Sequence, residues 1–205
     1  MKHHPLLLVI AAPSGTGKTT VIKGLLKRDP HLAYSVSATT RKRRKGEVSG
    51  RSYIFMSREE FERKIQEGYF LEWAEVYGEY YGTPLPPIEK NLEKGKDIVL
   101  DLDIQGKRAL EQKFGNRVVS VFLLPPSLEE LRRRLELRGA DSPEQLQLRY
   151  EMARQELRWA LECDYVVLND QQELAVERVW TILKAERMRR FRVIHPLLEN
   201  LQGAS

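Results

Sequence analysis

The run LLLVIAAPSGTGKTT, residues 6–20, constrains this chain more than any other stretch. Leu6–Ala12 is apolar throughout, without polar alternation and of strand length, which predicts a central strand covered on both faces. A proline and two glycines follow, and then a helix is expected over Thr19–Arg28, ended by Asp29-Pro30. A second reading competes for the same residues. A basic start, an apolar run and small residues near Ala11-Ala12 also sketch a secretory signal with its cleavage site. Cleavage there would destroy both the strand and the glycine-rich loop.

The loop decides between them. Ala12-Pro13-Ser14-Gly15-Thr16-Gly17-Lys18-Thr19 matches G-x-x-x-x-G-K-[ST], except that Ala12 stands where the first glycine is expected. Glycines let a backbone fold tightly and aim successive N–H groups at phosphate oxygens. The following helix adds the positive end of its dipole. Lys18 brings a charge for the β- and γ-phosphates, and Thr19 a hydroxyl for Mg²⁺. The motif has the context it requires, with a hydrophobic strand before it and a helix after it.

Further buried strands are expected in DIVLDLDIQG (97–106), RVVSVFLLPP (117–126) and DYVVLND (164–170), with a helix over about Lys107–Phe114. Strands alternating with helices imply right-handed crossovers and a mostly parallel sheet. Asp101 and Asp103 stand two apart in IVLDLD, so a continuous strand would project both from one face. An acid at the end of such a strand commonly holds Mg²⁺. Two segments break the alternation. Residues 33–94 read as a small mixed α/β insertion, with strand fragments at 52–56, 70–76 and 79–83 around a helix at 57–68. Residues 127–161 read as a charged helical hairpin turning at 138–145, a plausible lid. The core is then expected in 6–32, 95–126 and 162–190, all within a single domain spanning 1–205. His3 and His4 are expected to be exposed.

Composition sets limits on partners. The chain has 205 residues, 41% hydrophobic and 31% charged, which is globular and long enough for a real core. No apolar run approaches the roughly 20 residues needed to span a membrane. The single cysteine, Cys163, precludes an intramolecular disulfide and fits a reducing compartment. The net charge of +5 is concentrated in ATTRKRRKGEVSGR (38–51) and LRRRLELRG (131–139). Two such clusters suit compact anions better than a continuous nucleic-acid groove.

Taken with the phosphate loop, several stretches in order make the chain similar to guanylate kinases, the P-loop kinases that phosphorylate GMP to GDP with ATP. The stretches are SVSATTRKRRKGEVSGRSYIFM, FLEWAEVYGEYYGTP, DLDIQG, FLLPPSLEELRRRLELRG and VVLND, covering about Leu6–Arg187. The resemblance implies an α/β P-loop kinase fold with a central mostly parallel sheet, a GMP-binding insertion and a helical lid. It implies a cytoplasmic enzyme whose partners are ATP and GMP, with Mg²⁺ as cofactor and neither nucleic acid nor membrane. Oligomeric state is left open.

The resemblance also implies roles residue by residue. Pro13, Ser14, Gly15, Thr16, Gly17, Lys18, Thr19 and Thr20 would hold ATP, with Arg134 as a further contact and Asn169 near the adenine. Thr19 and Asp101 would serve the metal. Ser37, Glu72 and Thr83 match the guanine-reading set, which makes chemical sense. A carboxylate accepts from guanine N1–H and the 2-amino group, and a hydroxyl donates to O6. Arg41, Arg44, Tyr53 and Tyr81 match the grip on the GMP phosphate, and Asp103 would help fix the acceptor. Lys18, Arg44, Arg138 and Arg149 would carry the transfer. Leu137, where a glycine often stands, departs from the family pattern without removing a charge, and Pro84, Pro86 and Pro87 are a second unusual feature that stiffens the entry to the following helix and leaves the base contact in place. Two other classes remain open at this stage, a non-catalytic scaffold domain of the same fold and a kinase acting on a sugar phosphate.

Overall fold

The computed structural model describes residues 2–76, 78–137, 143–195 and 197. In chain order, β1 (Lys2–His3) and β2 (Leu7–Ala11) lead into α1 (Lys18–Arg28), β3 (Leu32–Tyr34), β4 (Ala38–Thr39) and β5 (Ile54–Phe55). Then come α2 (Arg58–Gln66), β6 (Phe70–Val76), β7 (Glu79–Pro84), α3 (Leu85–Glu93), β8 (Asp97–Asp101) and α4 (Ile104–Phe114). They are followed by β9 (Val118–Leu124), α5 (Leu128–Glu136), α6 (Pro143–Glu156), β10 (Tyr165–Leu168), α7 (Gln172–Arg187) and β11 (Val193–Ile194). No helix among the described residues is long and apolar enough to cross a membrane.

Five strands form a parallel sheet in the order β10-β9-β2-β8-β3. β2 lies at its centre, and all five of its residues are buried. Alternate side chains serve the two faces. Leu8 and Ile10 pack with Val21 and Leu25 of α1 and with Val179 and Leu183 of α7. Leu7 and Val9 pack with Ile88 and Leu92 of α3 and with Leu110 of α4. Truncating one such leucine to alanine costs about 2–5 kcal/mol. The close fit of α1 on α7 depends on Gly24, where a Cβ would lie 2.6 Å from Val176.

Because β2 is flanked by β8 and β9, its carboxyl end opens where the connections diverge to opposite sides of the sheet. Ligands of open α/β sheets bind in such a crevice. The pairing Ile10↔Asp101 brings the end of β8 beside the root of the loop that follows β2.

A second sheet, β5-β4-β7-β6, forms one wall of that crevice. Phe61 of α2 stacks on Phe70 at 4.3 Å and on Tyr80 at 5.2 Å, which seats the helix on the sheet. The segment expected as an insertion over 33–94 shares both its ends with the main core. β3 pairs with β8, and α3 contributes Ile88 and Leu92 beneath the central sheet. The second half of α5 meets the end of α6 through Leu131, Leu135 and Ala153, and Ser127 caps α5 by accepting from the Glu130 N–H at 3.1 Å. The expected turn at 138–145 falls largely outside the described residues.

Two sequence expectations are corrected. The strand expected over 97–106 stops at Asp101, and the helix expected from Lys107 begins at Ile104. Asp103 is the N-cap of α4, accepting from the Gly106 N–H at 2.9 Å, so it does not share a strand face with Asp101. A good capping residue converts the end of the apolar run into the first helical turn. His3, expected to be exposed, belongs to β1, which pairs with β11. Its Nε2 lies 3.0 Å from the buried Asp97 carboxylate. Asp97 also accepts from the Leu6 N–H at 2.8 Å and from Arg187 Nε at 2.7 Å, and Arg187 reaches on to the buried Asp29.

Candidate active site

The loop between β2 and α1 holds Gly15 at φ +89° and Gly17 at φ +97°, both in the region open to glycine. Gly17 is also the N-cap of α1, and no side chain caps the helix start. Thr20 N–H turns back to the Gly17 carbonyl at 3.0 Å, and the Lys18 and Thr19 N–H groups ahead of it are placed for an anion. A Cβ at Gly15 would come within 3.0 Å of Leu135, and one at Gly17 within 2.9 Å of the Asn169 amide nitrogen. The loop is therefore packed from beneath.

Asn169 and Arg134 supply that packing. The buried Asn169 side chain donates to the Thr16 carbonyl. Arg134 Nη1 donates to the carbonyls of Thr16 at 3.3 Å and of Asn169 at 3.2 Å, while its Nε is held by Glu130 at 2.7 Å. Both residues reach the loop's underside in this way. Arg132 and Arg133 pair instead with Glu136 and Glu130 on the exposed side of α5.

Above the loop is a cavity of about 310 Å³ lined by Pro13, Ser14, Gly15, Gly17, Lys18 and Thr19, with Asp101, Asp103, Glu156 and Trp159 opposite. Lys18 Nζ lies 2.5 Å from Asp101 Oδ1, so the loop's cation is held at the carboxyl end of β8. Thr19 and Asp101 also line a second, neighbouring cavity of about 570 Å³. The two spaces share a rim.

Ser37, Tyr53, Glu72, Tyr81, Thr83 and Asp103 all line the larger cavity. Glu72 and Thr83 are on β6 and β7 and face each other, with Thr83 Oγ1 donating to Glu72 Oε1 at 2.6 Å. Burial pushes the Glu72 carboxyl above its ordinary range, the Thr83 bond opposes this, and the charge of Asp103 adds to it. Arg41 lies over the Tyr53 ring at 5.4 Å and pairs with Glu47 at 2.7 Å, with Tyr81 as a further partner. Arg44 is exposed, and its backbone N–H donates to Glu47 Oε2 at 2.7 Å. Arg149 stands midway along α6, is exposed, and lines neither cavity. Arg138 lies outside the described residues.

Sequence reasoning passed over three groups that the fold brings here. Glu47 bridges Arg41 and the Arg44 backbone, and an acid within a basic stretch was the available signal. Tyr34 lines the larger cavity, its hydroxyl pushed up to about 12 by burial and by the charges of Asp101 and Tyr53. Glu156 reaches the loop cavity from the end of α6, and only tertiary structure reveals it.

An anion-binding loop with a lysine, beside a cavity carrying a half-buried carboxylate, suits transfer between two nucleotides. The comparisons agree. A sequence model of the family described as Guanylate kinase matches residues 4–186. The guanylate kinase of Caldanaerobacter subterraneus subsp. tengcongensis is 48% identical over 189 residues, covering 92% of this chain and 91% of that protein. The guanylate kinase of Lactococcus lactis subsp. lactis is 48% identical over 194 residues, covering 95% and 94%. The crystal structure of guanylate kinase from Anaplasma phagocytophilum superposes with a TM-score of 0.77 at 37% identity, covering 93% of this chain and 90% of that one. The chain belongs to the guanylate kinases, the family that uses ATP to phosphorylate GMP to GDP.

Proposed function

We propose that the γ-phosphoryl group of ATP passes directly and in line to a GMP phosphate oxygen, with ATP over residues 13–20 and GMP in the larger cavity. The observation that carries this reading is the shared rim. Thr19, Asp101 and Asp103 line both cavities, so two nucleotides would meet there phosphate to phosphate. Transfer of this kind needs positioning and charge neutralisation rather than a protein nucleophile.

On the ATP side, the loop N–H groups and Lys18 would hold the β- and γ-phosphates, supported from below by Arg134 and Asn169. On the acceptor side, Glu72 would accept from guanine N1–H and the 2-amino group, with Ser37 and Thr83 offering hydroxyls. Adenine would set its N1 lone pair against the same carboxylate. Arg41, Arg44, Tyr53 and Tyr81 would take the GMP phosphate in place of Glu47. Asp103, although it caps α4, stays at the cavity wall to help fix the acceptor. Arg138 and Arg149 are assigned to closing the lid over the transferring group. The same base and phosphate contacts serve dGMP, which is a second expected acceptor.

Mg²⁺ suits the donors present. Thr19 and Asp101 offer hard oxygens, and a nucleotide-bound Mg²⁺ takes one or two protein oxygens together with phosphate and water. Bound there, it would neutralise charge on the β- and γ-phosphates. The reaction would take place in the cytoplasm.

Direct transfer has a stereochemical test. ATP made chiral at its γ-phosphorus should give GDP with inverted configuration. Retention would demand a covalent phosphoenzyme and would contradict the in-line reading.

A further inference from the structure

Glu156 ends α6, the second helix of the lid segment, and lines the loop cavity with Ser14, Gly15 and Lys18. Burial raises its carboxyl pKa above the ordinary range, the Lys18 charge and the Ser14 N–H oppose that shift, and Asp103 adds to it. A half-buried carboxylate facing the phosphate loop looks misplaced, because it adds negative charge where phosphates enter. Its neighbours suggest what it does. The second half of α5 already grips the loop's other side, through Arg134 on the Thr16 carbonyl and Leu131 and Leu135 against Gly15. That half of α5 and the end of α6 are in turn packed together through Leu131, Leu135 and Ala153.

We propose that Glu156 is a positioning residue that pins the end of α6 to the phosphate loop at the Ser14 N–H, so that the second half of α5 and the last turn of α6 clasp the loop from opposite sides. Helix α6 then turns about a fixed foot, and Arg149, about two turns before it, swings relative to phosphates held in the loop. The pin also orients the Ser14–Gly15 peptide, and through it the N–H groups that follow. This rests on the reading of residues 13–20 as the ATP loop and adds a residue to it.

The pin is tested by ADP affinity, measured calorimetrically on the intact protein with E156A, E156D and E156Q. The wild-type ATP-plus-GMP assay is run alongside. E156Q keeps an acceptor oxygen at full reach, so ADP affinity should stay within about threefold of wild type. E156A should bind ADP at least about fivefold more weakly, and E156D, one methylene short, should fall between them. In turnover, the KM for ATP should rise in E156A while the KM for GMP stays within twofold. Thermal melts report folding, and E156D carries the comparison where E156A fails to fold. Tighter ADP binding by E156Q or E156A would show that the carboxylate competes with phosphate, and would overturn the proposal. Unchanged affinity in all three variants, or equal loss in E156Q and E156A, would overturn it too. If wild type binds ADP but does not transfer to GMP, the functional reading fails while the pin is still decided by the affinities.

Discussion

Thr83 Oγ1 donates to Glu72 Oε1 across 2.6 Å, in a cavity where burial drives that carboxyl above its ordinary range. The bond orients a carboxylate that is costly to keep ionised, and the second oxygen remains for a ligand. The folded protein thus holds a strained charge whose natural relief is a pair of donors, and guanine supplies such a pair.

Glu72→Gln should therefore separate stability from function. A carboxyl raised on folding contributes stability below its unfolded pKa, and that contribution is lost as pH rises through the folded value. Removing the charge should raise Tm at neutral pH while kcat/KM for GMP falls roughly 10²-fold, from the loss of charge-assisted hydrogen bonds. In wild type, the acid limb of kcat/KM for GMP should lie above the ordinary glutamate value of 4.5. A variant that is less stable at neutral pH and uses GMP normally would contradict this.

Lys18 is clasped by Asp101 at 2.5 Å, and both side chains are part-exposed, so the pair contributes little to folding. Lys18→Met should lower kcat by roughly 10²–10³-fold or more and shift Tm by no more than a few degrees. Near-normal turnover would remove the lysine from the chemistry.

At the opposite end of the sheet, Arg187 serves two buried carboxylates, Asp29 and Asp97. Arg187→Ala leaves both without that guanidinium, a loss of about 3–5 kcal/mol by the usual cost of breaking a buried pair. Asp29 also predicts a pH dependence. Burial pushes its carboxyl up, but Arg187 and the His31 N–H outweigh this and hold it below 3.8. Its stabilisation is present above 3.8 and is lost as pH falls through the lowered folded value. Denaturant melts should show Asp29→Asn less stable than wild type near neutral pH, with the gap closing in acid. A gap of constant size would show that the charge is not responsible.

Asn169 supports the loop by donating to the Thr16 carbonyl. Asn169→Ala should then weaken ADP and inorganic tripolyphosphate alike, by about 3–10-fold, as expected for one hydrogen bond lost beneath the phosphates. A loss confined to ADP would assign the residue to the adenine instead.

The parts legible in the sequence were those with local causes. Leu6–Ala12 announced a central strand because no polar residue interrupts it, and Gly15, Gly17 and Lys18 announced an anion loop. The FLEWAEV strand runs over the expected residues, Phe70–Val76. The boundary at Asp103 was missed because a strand's end and a helix cap compete over the same few residues. His3 and Glu156 are illegible for another reason. His3 meets Asp97 across the whole first half of the fold, and Glu156 meets the loop across most of the chain. No spacing in the sequence records such contacts. Glu47 was within reach, since an acid set among arginines is an internal counter-ion waiting for a better one.

The most direct test of the account is an ADP-release assay with Mg-ATP, comparing GMP, dGMP, AMP, CMP, UMP and ribose phosphates under one set of conditions. Turnover confined to GMP and dGMP is the predicted result. Comparable turnover with AMP or a sugar phosphate would contradict the assignment of Glu72, Ser37 and Thr83 as the group that reads the acceptor.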